Sequence, residues 1–146
     1  MKKPLRILLI EDDQDRAAKL RTWIPEEIKT VLAASAGRAI GILKLDGKHC
    51  GRIYAGIMLD HDLQAQAVTE MDRHLSGTQV VDSIIRHIQL DVPILVHSVS
   101  DTLAPGMVAR LKSAGFSVTY IPMYNLTPEC LNDWLKYVMD LWDDEE

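Results

Sequence analysis

Three short stretches of the sequence carry side chains able to do chemistry together: Glu11-Asp12-Asp13, Asp60-His61-Asp62 and His97-Ser98. Each follows an apolar run, at residues 5–10, 53–59 and 93–96, of the kind that forms a strand buried on both faces. Carboxylates gathered from separate strand ends repel one another and lose hydration unless a cation lies between them. Oxygen ligands suit a hard ion: Mg²⁺, or Mn²⁺ in its place, takes one or two carboxylates and leaves positions for water and substrate phosphate. A hydroxyl such as that of Ser98 then hydrogen-bonds a phosphoryl oxygen. The plainer role for the acids at 11–13 is to open a helix, whose positive end they suit. The second acidic strand end, at Asp60, favours the ion site. His61 and His97 titrate near neutrality and suit proton transfer, their plainer role being to orient a carboxylate through a hydrogen bond.

The elements that must position these groups alternate along the chain. Ala17, Leu20 and Trp23 recur at helical spacing before Pro25 stops the helix; residues 30–34 read as a second strand, and Ser35 opens a second helix carrying Ala39, Ile40 and Leu43. The polar stretch 64–76 is long for a connection in a compact α/β domain, which marks it as a candidate functional loop. A third helix spans 78–89 with Val80, Val81, Ile84, Ile85 and Ile88 inward. Pro105 and Gly115 frame a fourth, a fifth strand covers 117–121, and Thr127-Pro128-Glu129 opens the last helix, with Leu131, Leu135, Val138 and Leu141 as its buried stripe. Five strands alternating with five helices give a three-layer α/β domain with a mostly parallel sheet, whose ligands bind beyond the carboxyl ends of the strands. The polar clusters fall there. Neighbouring side chains of a regular strand face opposite sides, so His97 and Ser98 serve one site only at an irregular strand end.

At 146 residues, 47% apolar and 25% charged, the chain fits one domain, expected over residues 1–142, with 143–146 as a solvated acidic tail. The net charge of −5 argues against non-specific grip on duplex DNA or an anionic membrane. No apolar stretch approaches the roughly 20 residues of a membrane span. Cys50 and Cys130 form no C-x-x-C spacing, and a reduced cytoplasmic setting follows as the simplest expectation. His87 reads as solvated, His49-Cys50 as loop, and His74 as part of a polar loop or a closure over substrate. Trp134 and Trp142, eight apart on the last helix, complete the core or an oligomer face, so a homodimer is among the expected assemblies.

The segments ILLIEDDQDR (7–16), IMLDHDL (57–63) and PILVHSVS (93–100) resemble, in order and spacing over nearly the whole chain, the phosphoacceptor receiver domains of bacterial response regulators. The resemblance implies a flavodoxin-like, doubly wound five-stranded sheet in the order 2-1-3-4-5. It also implies that Glu11 and Asp12 organise Mg²⁺, that Asp60 accepts a phosphoryl group, that the Asp62 carbonyl completes the ion's shell, and that Ser98 is the strand-four hydroxyl. Signalling receivers carry a lysine before a proline after strand five, and an aromatic switch residue three positions earlier. This chain has Ile121 and Val118 there, with Tyr120 the nearest aromatic. DHDL followed by His-Ser-x-Asn is similar to a divergent branch, the cyclic-phosphate-processing receiver domains. Ser100 stands where that branch has the asparagine, and Arg16 falls where it tends to place an arginine. This resemblance implies a phosphate site that includes Ser98, Ser100 and Arg16.

Three functions are expected in competition. The first is a stand-alone Mg²⁺ domain, a metal-dependent cyclic phosphodiester hydrolase or recogniser of such esters, with Asp60, His61, His97 and Ser98 doing the chemistry and Glu11, Asp12, Asp60 and Asp62 holding metal. Asp60 acts there as base, ligand or covalent acceptor. The second is a single-domain response regulator phosphorylated on Asp60 by a histidine kinase. The third is a pseudo-receiver that has lost its chemistry and serves as an interaction module.

Overall fold

A computed structural model describes residues 5–47, 53–60, 77–98 and 104–144, and among these described residues the order of apolar and polar side chains resolves into five strands and five α-helices. In chain order these are β1 (Arg6–Ile10), α1 (Gln14–Trp23), β2 (Lys29–Ala33), α2 (Ala36–Leu45), β3 (Gly56–Leu59), α3 (Gly77–His87), β4 (Ile94–Val96), α4 (Ala104–Ala114), β5 (Val118–Tyr120) and α5 (Pro128–Asp144). All pairings are parallel and the sheet order is β2-β1-β3-β4-β5. This is the expected doubly wound arrangement.

The strands β1, β3 and β4 are buried along their length, except at the half-buried Arg6, because helices cover both faces. Their alternate residues divide the core in two. Leu8, Ile10, Ile57, Leu59, Ile94 and Val96 pack against α2, α3 and α4. Ile7, Leu9, Met58 and Leu95 pack against α1 and α5. The edge strand β2 stays half-exposed.

Local chemistry sets the helix ends. The Asp13 and Ser35 side chains cap α1 and α2, accepting from Arg16 N at 3.0 Å and Arg38 N at 3.2 Å. Thr127 Oγ1 accepts from Cys130 N at 3.2 Å at the start of α5. After α4, Gly115 takes φ +108°, a conformation that favours glycine, and Phe116 N–H closes back on Leu111 O at 3.1 Å. The last helix departs from expectation: it continues through Asp143 and Asp144 rather than giving way to a tail at 143, since buried Trp142 ties its final turn to the core. Trp134 and Trp142 are thus core residues. No helix among the described residues is long and apolar enough to cross a membrane.

Candidate metal and phosphate site

The register aligns Ala33, Ile10, Leu59, Val96 and Tyr120 as one row across the sheet. Backbone pairing continues one residue beyond it. Glu11 N–H donates to Ala33 O at 3.1 Å, Asp60 N–H to Ile10 O, His97 N–H to Leu59 O and Ile121 N–H to Val96 O, the last three at 3.0 Å. Glu11, Asp60, His97 and Ile121 therefore form the next row. Alternation sends their side chains to the face of α1 and α5. His97 reaches the acids through regular strand geometry, without the irregular strand end that its pairing with Ser98 was expected to need.

Glu11, Asp12 and Asp60 are buried, and one carboxylate oxygen of each lies within 4.8 Å of the others. From the first turn of α1, Arg16 reaches into this group. Its Nε donates to Glu11 Oε1 at 3.2 Å, and its Nη2 donates to Glu11 Oε2 at 3.3 Å and Asp60 Oδ2 at 3.4 Å, with Asp12 Oδ1 at 3.8 Å. The expected acidic triplet divides: Asp13 is the helix cap, while Glu11 and Asp12 join Asp60. Glu11 Oε2 also accepts the Asp13 N–H at 3.2 Å.

Burial drives the electrostatics. It pushes the Asp60 carboxyl up to about 8, with the Glu11 charge adding to the shift and Arg16 opposing it. Glu11 is raised too, by burial first, against the hydrogen bonds and charge of Arg16. Partial burial works against the Arg16 charge, yet Glu11 and Asp60 hold its pKa above the ordinary value. Were all three carboxylates to ionise, one guanidinium would leave two negative charges unbalanced, which a divalent ion neutralises. The donor set is hard oxygen, so Glu11, Asp12 and Asp60 fit Mg²⁺ or Mn²⁺.

His97 is fully buried, and neither ring nitrogen has a hydrogen-bond partner among the described residues; Nδ1 lies 3.7 Å from Glu11 Oε1. Burial depresses its pKa to about 4. A proton donor at neutral pH needs a higher value, so the imidazole at rest offers a lone pair rather than a proton. Ser98, also buried, lies one residue past the row, and its carbonyl accepts from Met123 N at 3.4 Å. Ile121 packs with the core of the α1 and α5 face, so an alkyl group occupies the row where signalling receivers were expected to hold lysine. Val118 and Tyr120 both pack on the opposite face.

The expected roles of His61, Asp62 and Ser100, and the readings of His49, Cys50 and His74, lie outside the described residues. His87, expected on a solvated face, is half-buried with its ring against Gly47. Arg16 was expected near the acidic strand end as a phosphate-binding residue; its direct hydrogen bonds to the carboxylates are what the structure adds. Its spacing of four from Asp12 and five from Glu11, about one helical turn, is the sequence signal for them.

No protein-family model matches the sequence, and no curated protein is detectably similar to it. Solved structures are similar in fold. A response regulator receiver domain protein (CheY-like) from Methanospirillum hungatei superposes with a TM-score of 0.71 at 17% identity, covering 100% of both chains. The signal receiver domain of a putative LuxO repressor protein from Vibrio parahaemolyticus gives 0.67 at 16% identity, over 98% of this chain and 95% of that one. A two-component response regulator from Clostridium difficile gives 0.64 at 20% identity, over 93% and 96%. With the sheet order and the acid cluster at the strand ends, these likenesses give the chain the flavodoxin-like fold of CheY-like receiver domains.

Proposed function

We propose that this receiver-like domain binds Mg²⁺ or Mn²⁺ through Glu11, Asp12 and Asp60 and acts on phosphate esters, with terminal cyclic phosphates of RNA or nucleotides as the substrate class. The observation that carries the reading is the row Glu11–Asp60–His97–Ile121: two carboxylates, a buried imidazole, and an alkyl chain in place of the lysine of signalling receivers. The bound ion would withdraw charge from the phosphate and make an attacking water more acidic.

The chain's own residues do the rest. Arg16, half-exposed at the rim of the cluster, offers a planar cation to two phosphate oxygens once it leaves the carboxylates. Asp60 gives up its proton when the ion binds, and as a carboxylate beside the ion it is the proposed base or covalent acceptor. His61 is the proposed donor to the leaving oxygen, since His97 is held neutral. Ser98 and Ser100 are proposed hydrogen-bond donors to the phosphate, and the Asp62 carbonyl a further ligand.

A second reading has its own support: the chain superposes over its full length with a receiver domain, and Asp60 directly follows β3, where a histidine kinase partner would deliver a phosphoryl group. Two reactions on the purified chain with Mg²⁺ separate them. An oligonucleotide with a 2′,3′-cyclic phosphate end is expected to be opened to a monophosphate, while acetyl phosphate leaves the intact protein mass unchanged. A stable phosphoryl adduct on Asp60 without ring opening favours the phosphorelay reading.

A further inference from the structure

A wholly buried imidazole whose two nitrogens find no hydrogen-bond partner among the described residues is unusual, because buried polar groups in folded proteins nearly always find one. A residue serving only to fill this part of the core would be apolar, like its neighbours Leu95 and Ile121 on the same face. His97 instead stands in the carboxylate row with Nδ1 3.7 Å from Glu11 Oε1. Two donor atoms bound side by side to one ion, with bonds of about 2.1 Å, lie about 3.0 Å apart in octahedral and about 3.4 Å in tetrahedral geometry. A shift of a few tenths of an ångström closes the distance to Glu11, whereas His97 stands outside the set of three carboxylates whose oxygens lie within 4.8 Å of one another, so the acids must turn toward it as the ion binds.

We propose that His97 is a nitrogen ligand of the ion held by Glu11, Asp12 and Asp60, and that it turns a hard-oxygen site into one selective for first-row transition ions such as Mn²⁺, Co²⁺ and Zn²⁺. The proposal rests on the reading of those three carboxylates as a metal cluster and deepens it by naming the class of ion. Imidazole nitrogen binds these ions more strongly than it binds Mg²⁺, which prefers oxygen and gives up its waters reluctantly. The row geometry supplies what an oxygen-only strand end lacks: β4 delivers a nitrogen lone pair beside Glu11. Glu11 Oε1 is the shared atom, touched by Arg16 Nε and faced by His97 Nδ1. An ion bridging Glu11 and His97 therefore takes the place of the guanidinium.

The test uses the full chain freed of metal by chelation. Pulsed electron paramagnetic resonance of the Mn²⁺-loaded wild type should show coupling to an imidazole nitrogen, lost in His97→Gln. Calorimetric titration should show Co²⁺ affinity falling about 10- to 100-fold in that variant, with Mg²⁺ affinity little changed. Wild-type protein that binds Mn²⁺ without nitrogen coupling overturns the proposal and leaves the carboxylate cluster standing. If no divalent ion binds the wild type, both fall. The wild-type spectrum decides the matter even if His97→Gln does not fold, and an equal loss of Mg²⁺ and Co²⁺ affinity in a folded variant would also count against the nitrogen ligand.

Discussion

Arg16 and His97 both approach Glu11 Oε1, and each makes a distinct prediction. Arg16 is the counter-charge of the metal-free cluster, contacting all three acids. Arg16→Gln should lower the melting temperature of the metal-free protein, strengthen Mn²⁺ binding several-fold and weaken phosphate-ester binding. Calorimetry that shows weaker Mn²⁺ binding would make the guanidinium a support of the ion site rather than its competitor. For His97 the folded pKa of about 4 lies below the ordinary 6.5. The folded state thus binds fewer protons in that window, and its stability is present above pH 6.5 and lost as pH falls through 4. The shift corresponds to roughly 3 kcal/mol, so chemical denaturation of His97→Gln should show a shallower acid loss than wild type. Asp60 behaves with the opposite sign. Its pKa, raised from 3.8 to about 8, makes its contribution full below 3.8 and lost as pH rises through 8. An ion that needs the carboxylate ionised must release that proton, so metal affinity should climb between pH 6 and 8, about tenfold per unit at most; buffers of different ionisation enthalpy would reveal the proton released in calorimetry.

Elements position these residues through close packing. Gly56 opens β3, and a β-carbon there would lie 2.9 Å from Trp134 Cη2 and 3.2 Å from Ile7 Cδ1, atoms of a buried ring and a buried strand. Gly56→Ala should cost about 1–3 kcal/mol, the usual toll of overpacking, measured by urea denaturation. A neutral result would mean that α5 is free to move away from the sheet. Most elements were legible in the sequence because each writes its own local signal: continuous apolar runs for β1, β3 and β4, cap residues Ser35 and Thr127, and Gly115 after α4. Boundaries shifted by one to three residues, as at β3, which starts at Gly56 rather than at 53. What local patterns do not encode is register between strands distant in sequence. The acids were legible as strand-end groups, but only the pairing of Ile10 with Leu59 and Leu59 with Val96 shows that Glu11, Asp60 and His97 share one row and one face. The ring environment of His97 was likewise hidden, since His-Ser reads alike in a wet crevice and in a dry core.

At the scale of the molecule, the parallel sheet does one thing for function: it gathers the ends of β1, β3 and β4 on a single edge and turns their last side chains to the face that α1 and α5 cover. Ionisable side chains are then held with less water than they need, and the balance must come from Arg16 or from an ion. Every proposed activity on this scaffold depends on which of these occupies the cluster. The deciding measurement is the thermal unfolding of the wild type and Asp12→Ala across a Mg²⁺ and Mn²⁺ titration. An ion that binds only the folded state stabilises it by about 2.7 kcal/mol at a hundred times its dissociation constant. The wild type should gain stability along that curve, more steeply with Mn²⁺, and Asp12→Ala should gain none. An equal gain in the variant would place the ion elsewhere on the protein and contradict the assignment of Glu11, Asp12 and Asp60 as its ligands.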